Sequence, residues 1–177
     1  MTDFNPQPTL HGDTLTLRPL HADDFDALYS VASDPLIWEQ HPSPLRYQRE
    51  VFEQEVFAPG LSSANTLVVI DTASGAVLGA SRYYDLDAAQ RELAIGYTFL
   101  ARNHWGGATN GALKRLMLTH AFGWAQRVWF HIGANNMRSR RTLEKIGGKL
   151  HHMAMRDSKA GAIEYAYYAM DRKEFRL

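Results

Sequence analysis

The chain has 177 residues, 45% hydrophobic and 21% charged, which is enough apolar material for one self-supporting core and too little charge for a disordered segment. Nineteen basic and nineteen acidic side chains cancel, and the absence of cysteine excludes disulfides, thiolate metal sites and a cysteine nucleophile. The cancellation hides a split: residues 1–99 hold 5 basic and 14 acidic side chains, residues 100–177 hold 14 basic and 5 acidic. Unless folding interleaves the halves, such polarity presents a positive surface to an anion.

The start, Met1-Thr-Asp-Phe-Asn-Pro, lacks the basic and apolar regions of a secretory signal, and no apolar run approaches about 18 residues. A cytoplasmic protein is therefore expected. Residues 1–10 read as a loose lead-in to a single domain spanning 1–177. Thr14-Leu-Thr-Leu-Arg18 alternates as a half-buried strand. His21 to Ser33 spaces Phe25, Leu28, Tyr29 and Ala32 as a helix, stopped by Asp34-Pro35. A proline-rich loop leads to a second helix, Tyr47 to Phe57, which is expected to end before Pro59-Gly60.

Residues 66–70 and 77–84 flank Thr72-Ala-Ser-Gly75 as a hairpin. Arg91 to Leu100 is a further strand, with Leu93, Ile95, Tyr97 and Phe99 assigned to its apolar face. Leu113, Leu116, Met117, His120, Ala121 and Trp124 form the apolar stripe of the longest helix, and a core role is favoured for Tyr97 and His120. Val128 to Ile132 is a short strand. Asn136 to Ile146 is a helix with a capping Asn and Gly147-Gly148 behind it. Two last strands, 149–156 and 162–170, turn around Lys159-Ala-Gly161. Alternation sends His151 and His152 to opposite faces, and no metal site is expected. The order β-α-α-β-β-β-α-β-α-β-β gives an α/β (α+β) domain. Its mixed, mostly antiparallel sheet has about seven strands, flanked by about four helices.

Chemistry concentrates in the loop Arg102-Asn-His-Trp-Gly-Gly-Ala-Thr-Asn110, which joins the fourth strand to the long helix. Adjacent glycines let backbone N–H groups approach a ligand, and the helix behind adds its positive end, a combination suited to a pyrophosphate. No Lys-Ser/Thr follows, so this is not a nucleotide-hydrolysing loop.

Trp105-Gly106-Gly107 opening a helix, followed by Asn136-x-x-Ser139-x-x-x-x-Glu144-Lys145-Ile146-Gly147, resembles the GNAT superfamily of N-acetyltransferases. Within it the RimJ/RimL type is the nearest match. The resemblance implies a sheet splayed between the strand bearing Ile95-Gly-Tyr97 and the strand Val128–Ile132. It also implies that acetyl-CoA lies in that gap, its pantetheine arm along Thr98, Phe99 and Leu100. The pyrophosphate would rest on Arg102, His104, Trp105, Gly106, Gly107, Ala108, Thr109 and Asn110. Asn136 and Ser139 would stand beside the pantetheine and thioester end. One or two of Arg138, Arg140, Arg141 and Lys145 are expected to meet the 3′-phosphate, since opposing acids are nearly absent nearby. Three departures stand out: the glycine loop is one residue short, Leu143 occupies the place of a common tyrosine acid, and Ala94 that of a common glutamate.

The implied reaction is direct acetyl transfer to a primary amine, a protein N-terminus or a small molecule. An α-amine, with a pKa of roughly 7.7–8, needs only a weak base. Glu92, on the same strand face as Ala94, is the candidate base, with a solvated carboxylate as the equal alternative. Ser139 is the candidate donor to the thiolate. Asp23, Asp24, Glu50, Glu53 and Glu55 offer attraction for a cationic acceptor. A homodimer is compatible with the sequence. Two other readings are a catalytically weak CoA-binding sensor and a nucleic-acid module using the basic segment 138–149, which contains no recognisable RNA-binding motif.

Overall fold

The computed structural model describes residues 3–158 and 161–176. Eight strands form one sheet in the order β1-β2-β3-β4-β5-β6-β8-β7. These are β1 Leu10–His11, β2 Leu15–Pro19, β3 Thr66–Asp71, β4 Val77–Asp87, β5 Glu92–Leu100, β6 Arg127–Gly133, β7 Lys149–Ser158 and β8 Gly161–Asp171. Every neighbouring pair is antiparallel except β5 and β6. The sequence reading lacked only the two-residue β1. Lys159 and Ala160, where the last turn was expected, lie outside the described residues.

On one face lie α4 (Thr109–Phe122) and α5 (Met137–Lys145), over a core that includes Leu93, Ile95, Leu113, Met117, Val128 and Tyr168. On the other lie α1 (Phe25–Ala32) and a helical run, α2 (Arg49–Phe52), a π turn (Glu53–Phe57) and α3 (Ala58–Ser62). Their core includes Leu28, Trp38, Phe52, Val68 and Phe99.

Three local expectations are overturned. First, Pro59-Gly60 does not end the second helix. The chain winds one π turn, and the Val56 carbonyl accepts from the buried Arg82 guanidinium at 3.0 Å. Gly60 allows this because a Cβ there would come within 2.7 Å of Arg82 Nη2. Second, the lead-in is packed. Phe4 sits edge-on to Tyr83 at 5.1 Å, and His120 Nε2 lies 2.8 Å from the Asn5 carbonyl. His120 is thus a half-buried anchor for the N-terminus rather than a core residue. Third, the buried stripe of α4 runs through Leu113, Lys114, Met117, Leu118, Ala121 and Phe122, a quarter-turn from the expected one, which Leu116 and Trp124 only flank.

Among the described residues the sheet has four register shifts, and two of them overturn expected facings, because one extra residue reverses the facing of all that follow. In β5 the register passes from Arg82↔Gly96 to Ala80↔Phe99, so two residues, Tyr97 and Thr98, face one. Tyr97 takes φ of 52° and is 43% exposed, contrary to the core role expected for it. Thr98 and Leu100 then face α4, and Phe99 joins the opposite core. In β7 the register shifts between Leu150 and His152. As a result both His151 and His152 lie against Trp129, with ring centroids at 5.0 and 6.3 Å, instead of pointing apart.

Candidate active site

β5 and β6 pair only over Glu92↔Arg127, Leu93↔Val128 and Ala94↔Trp129. Beyond this the strands part. The N-terminal half of β5 pairs on both sides, whereas Phe99 and Leu100 pair with β4 alone and Thr98 lies in the bulge. The bulge at Tyr97 supplies the bend, since bulges kink a strand and end its pairing. A Cβ on Gly79 would strike the Phe99 carbonyl, which therefore faces β4. The Leu100 carbonyl accepts from the Trp105 indole at 3.1 Å.

Gly106 (φ 70°) and Gly107 follow, and a Cβ built on either, or on Gly111, meets nothing within 4 Å. Alanine 108 stands at the N-cap of α4 and no side chain caps the helix. The first-turn amides, which have no intrahelical acceptor, thus open onto free space at the positive end of a 14-residue helix. His104 Nδ1 lies 3.2 Å from the Thr109 hydroxyl and shapes the loop. A shallow cavity of about 580 Å³ beside it is lined by Ser30, Val31, Asp34, Ala101, Arg102 and Asn103.

Across the gap, Asn136 is 8% exposed and caps α5, its Oδ1 accepting from the Ser139 amide at 3.2 Å. The Ser139 hydroxyl has no partner among the described residues. The Arg138 guanidinium stacks on Trp105 at 3.9 Å and donates to the Ile37 carbonyl, bridging the loop after β5 to the first turn of α5. Arg102 is paired with Asp34 at 2.7 Å, whereas Arg141 is exposed with no ion pair among the described residues.

Glu92, the expected base, stands at the paired end of the strands. Its Oε2 accepts from the Trp129 indole at 2.6 Å, and Arg127 approaches Oε1 at 3.9 Å. The carboxylate therefore ties β5 to β6 below the point where they part. Two of the acids expected to draw in an acceptor are also spent on structure: Asp24 pairs with Arg18, and Glu55 accepts from Ser43 and Arg46.

Sequence reasoning missed two groups. Lys114 is 8% exposed and donates to the Thr98 hydroxyl at 2.7 Å; burial alone pulls its pKa down to about 7. His131, two residues beyond the last β5–β6 pair, lies on the face away from α4 beside Tyr167 (4.5 Å) and Tyr84 (5.5 Å). Its Nδ1 is buried without a hydrogen-bond partner. Burial and the nearby Arg156 lower its pKa to about 4, which keeps the ring neutral. The sequence signal for Lys114 was a cation directly after Leu113 and one turn before Met117. For His131 it was strand alternation with Trp129. Among the described residues no set of side chains is grouped to hold a metal, and no helix is long and apolar enough to cross a membrane.

A family model described as an acetyltransferase (GNAT) domain matches residues 14–149. A GCN5-related N-acetyltransferase from Brucella melitensis shares 22% identity over 96% of this chain and 80% of its own, with a TM-score of 0.78. RimJ of Mycobacterium smegmatis, solved with CoA-disulfide, shares 18% over 92% of this chain and 84% of its own, with a TM-score of 0.70. Spermidine N-acetyltransferase of Vibrio cholerae, solved with CoA and spermine, shares 15% over 92% of this chain and 98% of its own, with a TM-score of 0.71. At such identities the likeness carries the fold, not the substrate. No curated protein matches the chain in sequence. The family match covers the parted strands, the glycine loop and the Asn136 helix together, so this chain belongs to the GNAT acetyltransferase family and is an acetyl-CoA-dependent N-acetyltransferase.

Proposed function

We propose that the enzyme is of the RimJ/RimL type and transfers acetyl directly to a primary amine that is cationic in solution, a protein N-terminus or a small amine. The observation that carries this reading is the pairing of an open, uncapped glycine loop with strands that part immediately before it. The chain fits acetyl-CoA at three places. Gly106, Gly107 and the first turn of α4 offer amides to the pyrophosphate. The free edge of Thr98–Leu100 offers main chain to an extended amide-bearing arm. Asn136 and Ser139 at the start of α5 are assigned to the thioester end, and the exposed Arg141 is available to the 3′-phosphate. When bound, acetyl-CoA supplies an acyl thioester.

The acceptor side is assigned to the opposite face. A cavity of about 470 Å³ at the end of β6 includes Glu39, His41, Gly133, Asn135 and Glu164 in its lining. Of its two carboxylates, Glu39 is approached by Arg138 at 3.6 Å, and Glu164 is the one that favours a cationic amine over an anionic one. His131 Nδ1, neutral and unpartnered, stands on the same face and can accept a proton from an attacking amine. A ring this weakly basic suits an α-amine, whose neutral fraction near pH 7 is already appreciable. Glu92 is left the task of holding the strands together.

The test is an acceptor panel of N-terminal peptides, polyamines and aminoglycoside-type amines, read by thiol release with acetyl-CoA. Acetylation of a cationic amine is expected. If the protein binds CoA but releases thiol with no amine, the reading as a CoA-binding sensor is favoured instead. Binding of nucleic acid with no response to CoA would return the basic segment 138–149 to that role.

A further inference from the structure

The family position for an acid to protonate the leaving sulfur holds Leu143, which is 4% exposed and packed in the first core. Leucine carries no proton to give. Among the described residues, the proton donors near the gap include the Ser139 and Thr98 hydroxyls and one buried cation.

That cation is Lys114. Its Nζ lies 2.7 Å from the Thr98 hydroxyl on β5 and 5.8 Å from the centre of the Phe130 ring on β6. Phe130 is one residue and Thr98 four residues beyond the last β5–β6 pair, so the ammonium lies between the parted strands on their α4 side. An ammonium has three protons to donate. One goes to Thr98, whose hydroxyl also contacts Ser81 at 2.7 Å; among the described residues no second acceptor and no carboxylate meets the others. Burying a cation without an opposite charge is costly, and proteins seldom do it without a use for the group. The surroundings from each side are uncharged: Ser81 from β4, Thr98 from β5 and Phe130 from β6.

We propose that Lys114 is a catalytic residue that donates a proton to the sulfur leaving the thioester, with Thr98 and Ser81 holding its ammonium in place. As the acceptor nitrogen bonds to the acyl carbon, the C–S bond breaks and its electron pair stays on sulfur. Lys114 protonates that sulfur and becomes a neutral amine. The proton given up by the attacking nitrogen reaches Lys114 through solvent. The products are an amide and a thiol, with Lys114 back in its starting state. Desolvation makes the ammonium a stronger acid than an exposed lysine, which matches the task. This inference rests on the acetyl-transfer reading above.

Lys114→Met, which keeps length and removes the charge, tests it alongside the wild type. The variant is expected to lose about 10²–10⁴-fold in kcat with KM for acetyl-CoA changed only a few-fold. Desulfo-CoA, which lacks the sulfur, should bind both proteins alike. CoA bound to the wild type should form thiolate, followed by its ultraviolet absorbance, at lower pH than free CoA. In Lys114→Met that advantage should vanish. The wild-type thiol titration needs no variant, so it decides even if Lys114→Met fails to fold. Unchanged kcat in the variant, a bound thiol titrating as it does free, or an equal loss of desulfo-CoA binding would each overturn the assignment. A wild type that binds no CoA at all would instead defeat the acetyltransferase reading itself.

Discussion

The two ends of the β5–β6 pair place polar groups in opposite circumstances. At the closed end the Glu92 carboxylate is taken up by Trp129 and Arg127, and Arg127 is further held by Asp171 at 2.7 Å. At the open end, among the described residues, Lys114 has one hydroxyl and no acid, and His131 Nδ1 has no hydrogen bond, the Asp85 carboxylate lying 3.9 Å away. A satisfied carboxylate is a structural rivet. Buried polar groups left short of partners have capacity for a ligand, since leaving them so costs about 1–3 kcal/mol each. The contrast moves the chemistry away from the residue that strand alternation favoured and toward two that it did not.

The largest effect on this contrast should come from the loop that serves the open end. Gly107→Asp introduces a carboxylate into free space without a positive φ to strain, so the ligand-free melting temperature should move by about 1–2 °C or less. Saturating CoA at a hundred times its dissociation constant stabilises by about 2.7 kcal/mol, or roughly 5–10 °C. That rise should be lost in the variant, and thermal melting with CoA measures it; a retained rise would mean the phosphates bind elsewhere.

Gly96→Val attacks the junction between the ends. A Cβ at Gly96 would come within 2.9 Å of the Tyr84 ring, which lies over it. The expected cost is about 1–3 kcal/mol, seen as a melting temperature lower by several degrees together with weakened acceptor turnover.

Acid should act through the neutral imidazoles. Burial holds His41 at about 3 and His131 at about 4, against 6.5 when unfolded. Between pH 6.5 and 4 the unfolded chain binds protons that the folded chain refuses, so stability falls as pH falls through that window. Denaturant midpoints measured across it should show this slope, and His131→Gln should flatten it by about half. Lys114 acts in the opposite range. Its folded pKa lies below the unfolded value of 10.5, so the unfolded chain holds the extra proton between about pH 7 and 10. Wild-type stability relative to Lys114→Met should therefore improve as pH rises through that range.

The smallest effect on turnover is expected from Glu92→Gln. The amide oxygen still accepts from Trp129, and the loss should appear as about 1 kcal/mol of stability with kcat within about threefold of wild type. A loss in kcat beyond tenfold at unchanged stability would restore Glu92 as the base.

Much of this architecture is readable from short stretches of chain. The glycine loop, the cap at Asn136, the long helix and the hairpin each depend on residues within a few positions of one another, where dihedral preferences and local hydrogen bonds decide. Strand existence was equally legible, because alternation is local. Which face a residue takes beyond a bulge was not, and Tyr97, Thr98, His151 and His152 all turned on that.

The sequence alone determined the fold class, the order of elements and the open glycine loop that is proposed to meet the cofactor's phosphates. Only the tertiary structure decided that Lys114 reaches Thr98 from 16 residues away, that Glu92 is consumed by Trp129, and that His131 Nδ1 is buried without a hydrogen bond. The reason is physical. A side chain's partners are set by the register between strands and by helix rotation on the sheet, both fixed by the packing of the whole core and neither written in any single window of the chain.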